Sequence, residues 1–278
     1  MKAAAQSIFI DQPEGRVHLR RTGEGSNLII ALHGFGLSGA MFSSFAKRLD
    51  PLLFSCLAFD LPGHGQTRWK AATYSPEDLA SLVAKVKNLA PWSSVQLLGF
   101  SLGGRIWVKL LSRQLCPLVN GLTLVAPDGF GGRYTAWIDG RLGHLLSPVS
   151  QLGNNPRPWI WMARQLEKRR VISSFARHFV ETQLNDPDSR QRLQLNLRSL
   201  RQFRLEKQDY SNLGSWAQNH PTEVWVGRRD PIVRRDRLAK IFRQKPAIQI
   251  KNFPGGHQLP LKQLAERFKE NLPLLPRP

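Results

Sequence analysis

The feature that most narrows the fold is a series of short apolar runs, each closed by a glycine- or proline-bearing turn, with helix-like segments between them. Residues 27–32 (Asn-Leu-Ile-Ile-Ala-Leu), 54–59, 94–100 and 121–126 are almost continuously hydrophobic, as strands covered on both faces by helices must be. Of the segments between them, 41–49 sets Phe42, Phe45 and Leu49 on one side of a short helix. Segment 75–88 opens Ser75-Pro76-Glu77-Asp78, with a capping serine, a proline in the first turn and acids at the positive end. Residues 103–111 continue as a third helix. This alternation from 27 to 128 predicts a mostly parallel, doubly wound α/β sheet. Ahead of it, 7–11 and 16–20 around Pro13-Glu14-Gly15 predict a hairpin at a sheet edge.

From about residue 130 the alternation stops. Helical periodicity without strand runs covers 159–166, 171–184 and 189–203, broken by Pro148, Pro156, Pro158 and Pro187. Strand and helix patterns then return at 222–226, 237–242, 247–253 and 261–272. The expected organisation is therefore a core of 1–129 and 214–278 carrying a helical cap, 130–213, over the carboxyl edge of the sheet, where open α/β folds bind ligands. Tyr134, Trp137, Trp159, Trp161, Phe175 and Phe179 are available to line a pocket there, with packing among the cap helices as their ordinary use.

The turns carry the chemistry. Gly99-Phe100-Ser101-Leu102-Gly103 links a buried strand to a helix, and a serine on so tight a turn projects its hydroxyl from the end of the sheet. A hydroxyl is a weak nucleophile at neutral pH and needs a base, which in turn needs an acid to hold it in one tautomer. His257, after the 247–253 strand and a glycine pair, is the candidate base. Asp230, in Gly227-Arg228-Arg229-Asp230-Pro231, is the candidate acid. Asp128, after the 121–126 strand, is a rival, and the more specific Gly-x-x-Asp-Pro context favours Asp230. His64, inside the turn Asp60-Leu61-Pro62-Gly63-His64-Gly65, reads as a turn histidine bonded to nearby backbone. His33-Gly34-Phe35-Gly36 closes the 27–32 strand and allows backbone N–H groups to face a cleft.

With His33 to Gly36, Asp60 to Gly65, Gly99 to Gly104, Asp230 and Gly256-His257 in this order, the chain resembles the α/β-hydrolases over about 190 residues, everything except the cap. The resemblance implies an α/β-hydrolase fold with a sheet of about eight strands and a Ser101–His257–Asp230 triad. It also implies an oxyanion hole made by the backbone N–H groups of Phe35 and Leu102. Serine at the nucleophile position argues against the aspartate-using dehalogenase and epoxide hydrolase branches. Gly103-Gly104-Arg105 together with Asp60 to Gly65 also resembles the menaquinone-pathway synthase that forms 2-succinyl-6-hydroxy-2,4-cyclohexadiene-1-carboxylate, although Phe100 stands where that enzyme is expected to have tyrosine. Under that likeness Arg105 would anchor an acidic substrate; otherwise it is a surface or core-edge arginine. The expected activity is hydrolysis of a carboxylic ester or thioester through an acyl-enzyme. The alternatives are C–C bond hydrolysis or elimination on an acidic substrate, and a non-catalytic protein that binds polyanions.

The alternatives draw on the charge, since 40 Lys and Arg face 20 Asp and Glu for a net charge of +20. Such an excess favours anionic partners without choosing among them. The bases are dispersed, with concentrations at 164–170, 198–204 and 228–237, and no zinc-finger spacing or RNA-binding aromatic signature accompanies them. A small-molecule substrate and no specific nucleic acid are expected, with no cofactor and no metal. Cys56 and Cys116 lie in apolar runs and read as buried free thiols, which fits a reducing compartment. Neither a signal-peptide run at the amino terminus nor a span of roughly 20 apolar residues is evident, so a cytoplasmic location is expected.

Overall fold

The computed structural model of the chain describes residues 5–130, 155–169 and 174–270. Among them a nine-stranded sheet runs β1 (Gln6–Gln12), β2 (Gly15–Thr22), β4 (Phe54–Phe59), β3 (Asn27–Leu32), β6 (Ser94–Phe100), β7 (Gly121–Val125), β8 (Thr222–Gly227) and β9 (Ile248–Phe253). The two-residue β5 (Arg68–Trp69) pairs with β2 off this path. Contacts of β2 with β1 and β4 are antiparallel, and every pairing from β4 to β9 is parallel. This is the expected mostly parallel sheet with an edge hairpin. Strands β3, β4, β7 and β8 are buried at every residue, because helices cover both faces and leave no solvated side.

The helices follow the predicted positions with shifted ends. A 3-10 turn (Gly39–Phe42) and α1 (Ser43–Ala46) replace the single helix expected over 41–49. Helix α2 (Pro76–Lys87) starts as predicted: the Ser75 hydroxyl accepts from Asp78 N, and the Asp78 carboxylate accepts from Ser75 N. Helix α3 (Leu102–Ser112) is buried along its whole length. Between β7 and β8 lie α4 (Arg157–Lys168), α5 (Ser174–Asn185), α6 (Pro187–Ser199) and α7 (Lys207–Ala217), and α8 (Arg235–Ile241) and α9 (Leu261–Glu270) complete the chain.

Helix α7 straddles the boundary expected at 213 and 214, and it packs on α3. Lys109 of α3 donates to the Asp209 carboxylate at 2.8 Å and to the Arg204 carbonyl at 2.9 Å, while Ser112 donates to Asp209 at 2.6 Å. A buried charge is tolerated only when paired and hydrogen bonded, so this cluster ties α7 to the helix that carries the elbow. Cys56 and Cys116 are both buried and free, and burial pushes both thiols up to about 12.

The chain order reverses between β3 and β6. From β3 the path goes outward to β4, then returns to add β6 on the other side of β3. This reversal marks the switch point at whose carboxyl edge doubly wound sheets hold ligands.

Candidate active site

Ser101 follows β6 with φ 50° and ψ −114°, a backbone state that a residue with a Cβ enters only when its surroundings force it. The forcing is visible. Ser101 N donates to the Val125 carbonyl, and the Ser101 carbonyl accepts from Gly104, Arg105 and Asp128 N–H groups. The strand and helix on either side are pressed together so closely that a Cβ on Gly103 would stand 2.1 Å from the Leu32 carbonyl oxygen. As first residue of α3, Leu102 has an N–H with no acceptor within the helix.

Asp230 and His257 arrive on loops zipped together by backbone: Arg228 N donates to the Phe253 carbonyl and Arg229 N to the Gly255 carbonyl. His257 Nδ1 lies 2.9 Å from Asp230 Oδ2, and Asp230 Oδ1 accepts from Ile232 N at 2.8 Å and Val233 N at 2.9 Å. Burial of the Asp230 carboxyl opposes ionisation, but these hydrogen bonds outweigh it and hold the group below the usual carboxylate range. A fixed carboxylate on Nδ1 assigns the proton there and leaves Nε2 with its lone pair. The His257 ring packs on Phe100, the residue before Ser101, with centroids 5.0 Å apart. The structure thus brings His257 to the elbow; no Ser101–His257 hydrogen bond is formed among the described residues. The rival acid Asp128 sits elsewhere in the network, its Oδ2 3.5 Å from Arg105 Nη1. Arg105 itself is fully buried.

On the opposite side of Ser101, the 33–36 loop packs against the elbow: a Cβ on Gly34 would stand 3.1 Å from Ser101 Cβ. Two histidines brace this loop. His33 Nδ1 is 2.7 Å from the Gly34 carbonyl and His33 Nε2 accepts from Leu61 N at 3.0 Å. His64 Nδ1 is 3.1 Å from the Pro62 carbonyl and Nε2 accepts from Gly36 N at 3.1 Å. Each ring therefore carries its proton on Nδ1 and is neutral, since a nitrogen accepting from an amide cannot also be protonated. Burial pushes His33 down to about 4, and burial followed by the neighbouring His33 ring pushes His64 down to about 3. The turn-histidine reading of His64 describes its bonds, and its partner in Gly36 shows what the turn is for: it holds the loop that carries Phe35. Asp60 clamps the same region, accepting from Gly39 N, Gln66 N and His18 Nδ1. Sequence reasoning left the bracing roles of His33 and Asp60 unassigned; both lie in the two motifs it singled out, but the bonds between those motifs cross from β3 to β4.

Helices α5 and α6 approach these loops. A Cβ on Gly63 would stand 3.0 Å from Leu195 Cδ2, and one on Gly36 4.0 Å from Gln183 Nε2. Tyr74 donates to Asn196 Oδ1 at 2.7 Å, and the Ser199 hydroxyl accepts from Tyr74 N. Of the aromatic candidates, Trp159 is half-buried and Trp161 is exposed; Tyr134 and Trp137, and the side chains of Phe175 and Phe179, lie outside the described residues. Among the described residues no group of three or more His, Cys, Asp or Glu could hold a metal ion, and no helix is long and apolar enough to cross a membrane.

Residues 29–270 match the Alpha/beta hydrolase family. The chain is 31% identical over 157 residues, 54% of its own length and 41% of the relative's, to the dihydrolipoyllysine-residue acetyltransferase component of the acetoin cleaving system of Cupriavidus necator. It is 29% identical over 137 residues, 46% of its length and 47% of the relative's, to a 2-hydroxy-6-oxononadienedioate/2-hydroxy-6-oxononatrienedioate hydrolase of Escherichia coli. The match thus spans less than half the length of either relative. Among solved structures, the thioesterase domain from the curacin biosynthetic pathway superposes with a TM-score of 0.68 at 18% identity, covering 96% of this chain and 99% of that one. With the family match running through the sheet, the elbow and the histidine loop, the chain belongs to the alpha/beta hydrolase family.

Proposed function

We propose that the protein is a serine hydrolase acting on a carboxylic ester or thioester. The observation that carries this reading is the His257 Nδ1–Asp230 Oδ2 hydrogen bond of 2.9 Å beside a serine held at φ 50°. Ser101 Oγ attacks the carbonyl carbon while His257 Nε2 takes its proton, and Asp230 stabilises the imidazolium that forms. The Phe35 and Leu102 N–H groups stabilise the tetrahedral oxyanion, each worth roughly 10²- to 10³-fold in rate. His257 then returns the proton to the departing alcohol or thiol, and water, activated by the same base, releases the acid. The helical segment between β7 and β8 acts as the cap. Arg105, buried against Asp128, keeps that carboxylate engaged beside the elbow.

A fluorophosphonate probe tests the reading: it should label the wild type and leave Ser101→Ala unlabelled. Equal labelling of both, or none of a protein that turns over esters, overturns it. A second reading is hydrolysis of a C–C bond next to a carbonyl in an acidic substrate, favoured by the net charge of +20 and by the named activity of the Escherichia coli relative. Turnover of vinylogous diketo acids exceeding that of p-nitrophenyl esters and acyl thioesters would select it.

A further inference from the structure

Gln183 projects from α5 toward the loop after β3. Its Nε2 reaches van der Waals distance, 4.0 Å, of the point where a Cβ on Gly36 would stand. Gly36 immediately follows Phe35, the proposed oxyanion donor, and its own N–H is committed to His64 Nε2. The residue is only 7% exposed, and Gln183 Oε1 is fully buried without a hydrogen-bond partner. Its amide makes no side-chain hydrogen bond among the described residues, although neighbouring polar groups on the same helix pair do. Asp186 caps α6 through Ser189 N, Arg190 donates to the Leu184 carbonyl, and Asn196 bonds to Tyr74. On α6, Arg192 Nε is likewise buried without a partner, and its Cγ lies 3.7 Å from where a Cβ on Gly63 would stand.

A buried side-chain oxygen without a hydrogen-bond partner is rare in a folded protein and calls for a ligand or a solvent partner. An aliphatic side chain of similar size would close the helix over the loop without that cost. The polar amide is therefore misplaced for packing and well placed for recognition, lying beside Gly36, the residue that follows the proposed oxyanion donor Phe35.

We infer that Gln183 is a specificity-determining residue that hydrogen bonds a polar substituent, a hydroxyl, enol or amide, carried on the carbons next to the scissile carbonyl. A primary amide offers both a donor and an acceptor, and a hydroxyl satisfies either. A plain alkyl acyl group would leave the amide oxygen without a partner in the transition state, and is selected against for that reason. The inference rests on the serine-hydrolase reading above and adds the chemistry of the acyl group to it.

The test compares p-nitrophenyl 3-hydroxybutyrate with p-nitrophenyl butyrate on the wild type, Gln183→Leu and Gln183→Glu, with fluorophosphonate labelling of Ser101 measured on all three. The wild type should favour the hydroxyacyl ester in kcat/KM by about ten- to a hundred-fold, the range expected for satisfying one buried polar group. Gln183→Leu should bring the two esters close to parity, losing rate on the hydroxyacyl ester and gaining it on the plain one. Gln183→Glu, which keeps an acceptor, should retain part of the preference. Labelling rates should stay the same. Normal labelling with an unchanged preference in Gln183→Leu, or with no preference in the wild type, overturns the role of Gln183 and leaves the hydrolase reading standing. Failure of the wild type to label while turning over esters overturns both.

Discussion

Replacing His64 with glutamine should flatten the acid limb of the protein's stability curve. His64 Nε2 accepts from Gly36 N, and Nδ1 faces the Pro62 carbonyl. Protonation would set an N–H against the Gly36 N–H inside a buried site, so the folded state resists it down to a pKa of about 3, against an ordinary value of 6.5. The unfolded chain takes the proton near 6.5, so it binds more protons than the native state between the two values, and stability falls as pH falls through that window and is flat above it. The slope for one group is about 1.4 kcal/mol per pH unit, so at pH 5 His64 costs about 2 kcal/mol relative to pH 7. His33, pushed down to about 4, adds a similar loss over the same range. Together they remove about 4 kcal/mol, a large part of a typical domain stability of about 5–15 kcal/mol. Glutamine offers a neutral Oε1 to the Gly36 N–H and cannot titrate. The variant should lose about 1 kcal/mol at pH 7 through the missing Pro62 bond, then fall only half as fast. Urea unfolding at pH 7, 6 and 5 measures both curves. A wild-type-minus-variant difference that stays constant from pH 7 to pH 5 would refute the reasoning.

Asp230→Asn should keep the two backbone bonds to Oδ1 but present an amide N–H to His257 Nδ1, forcing the ring proton to Nε2. Ester turnover should fall about 10⁴-fold with the thermal midpoint little changed, and a loss under tenfold would show that another group orients the histidine. In the α3–α7 cluster, Asp209→Ala should destabilise by about 3–5 kcal/mol because it leaves Lys109 buried and unpaired, and adding Lys109→Met should recover most of it. Additive effects in the double-mutant cycle would rule that coupling out. Cys56 and Cys116, with thiols pushed up to about 12, should not react with a maleimide at pH 8 in the folded protein and should react fully in urea; modification at equal rates in both would contradict their burial.

Much of the fold could be read from hydrophobic pattern and turn chemistry. A strand buried on both faces is mostly apolar, so 27–32, 54–59, 94–100 and 121–126 announced themselves. The cap of α2 is a local event between Ser75 and Asp78 and was legible for that reason. Helix α7 escaped notice although the Glu206–Asp209 capping pair and the spacing of Leu213 and Ala217 mark it. Its polar residues break the apolar stripe because Asp209 faces a lysine on another helix. The ends of α5 and α6 and the split between the 3-10 turn and α1 depend on what each segment packs against.

What the sequence by itself determined is the order of the elements and the residue types at the carboxyl ends of the strands, because periodicity and turn chemistry act between near neighbours. Ser101, Asp230 and His257 could be nominated on that ground, each just beyond an apolar run. What only the tertiary structure decided is which of these groups meet. Asp128 and Asp230 are equivalent in sequence position, one after β7 and one after β8. It is the zipping of the β8 loop to the β9 loop that gives Asp230 the His257 ring, while Asp128 N bonds the Ser101 carbonyl and its carboxylate lies beside Arg105. The neutral state of His33 and His64 and the partnerless Oε1 of Gln183 belong to the same class. Burial and partners separated by tens of residues in the chain exist only once the sheet has assembled and the helices between β7 and β8 have come to rest on its loops.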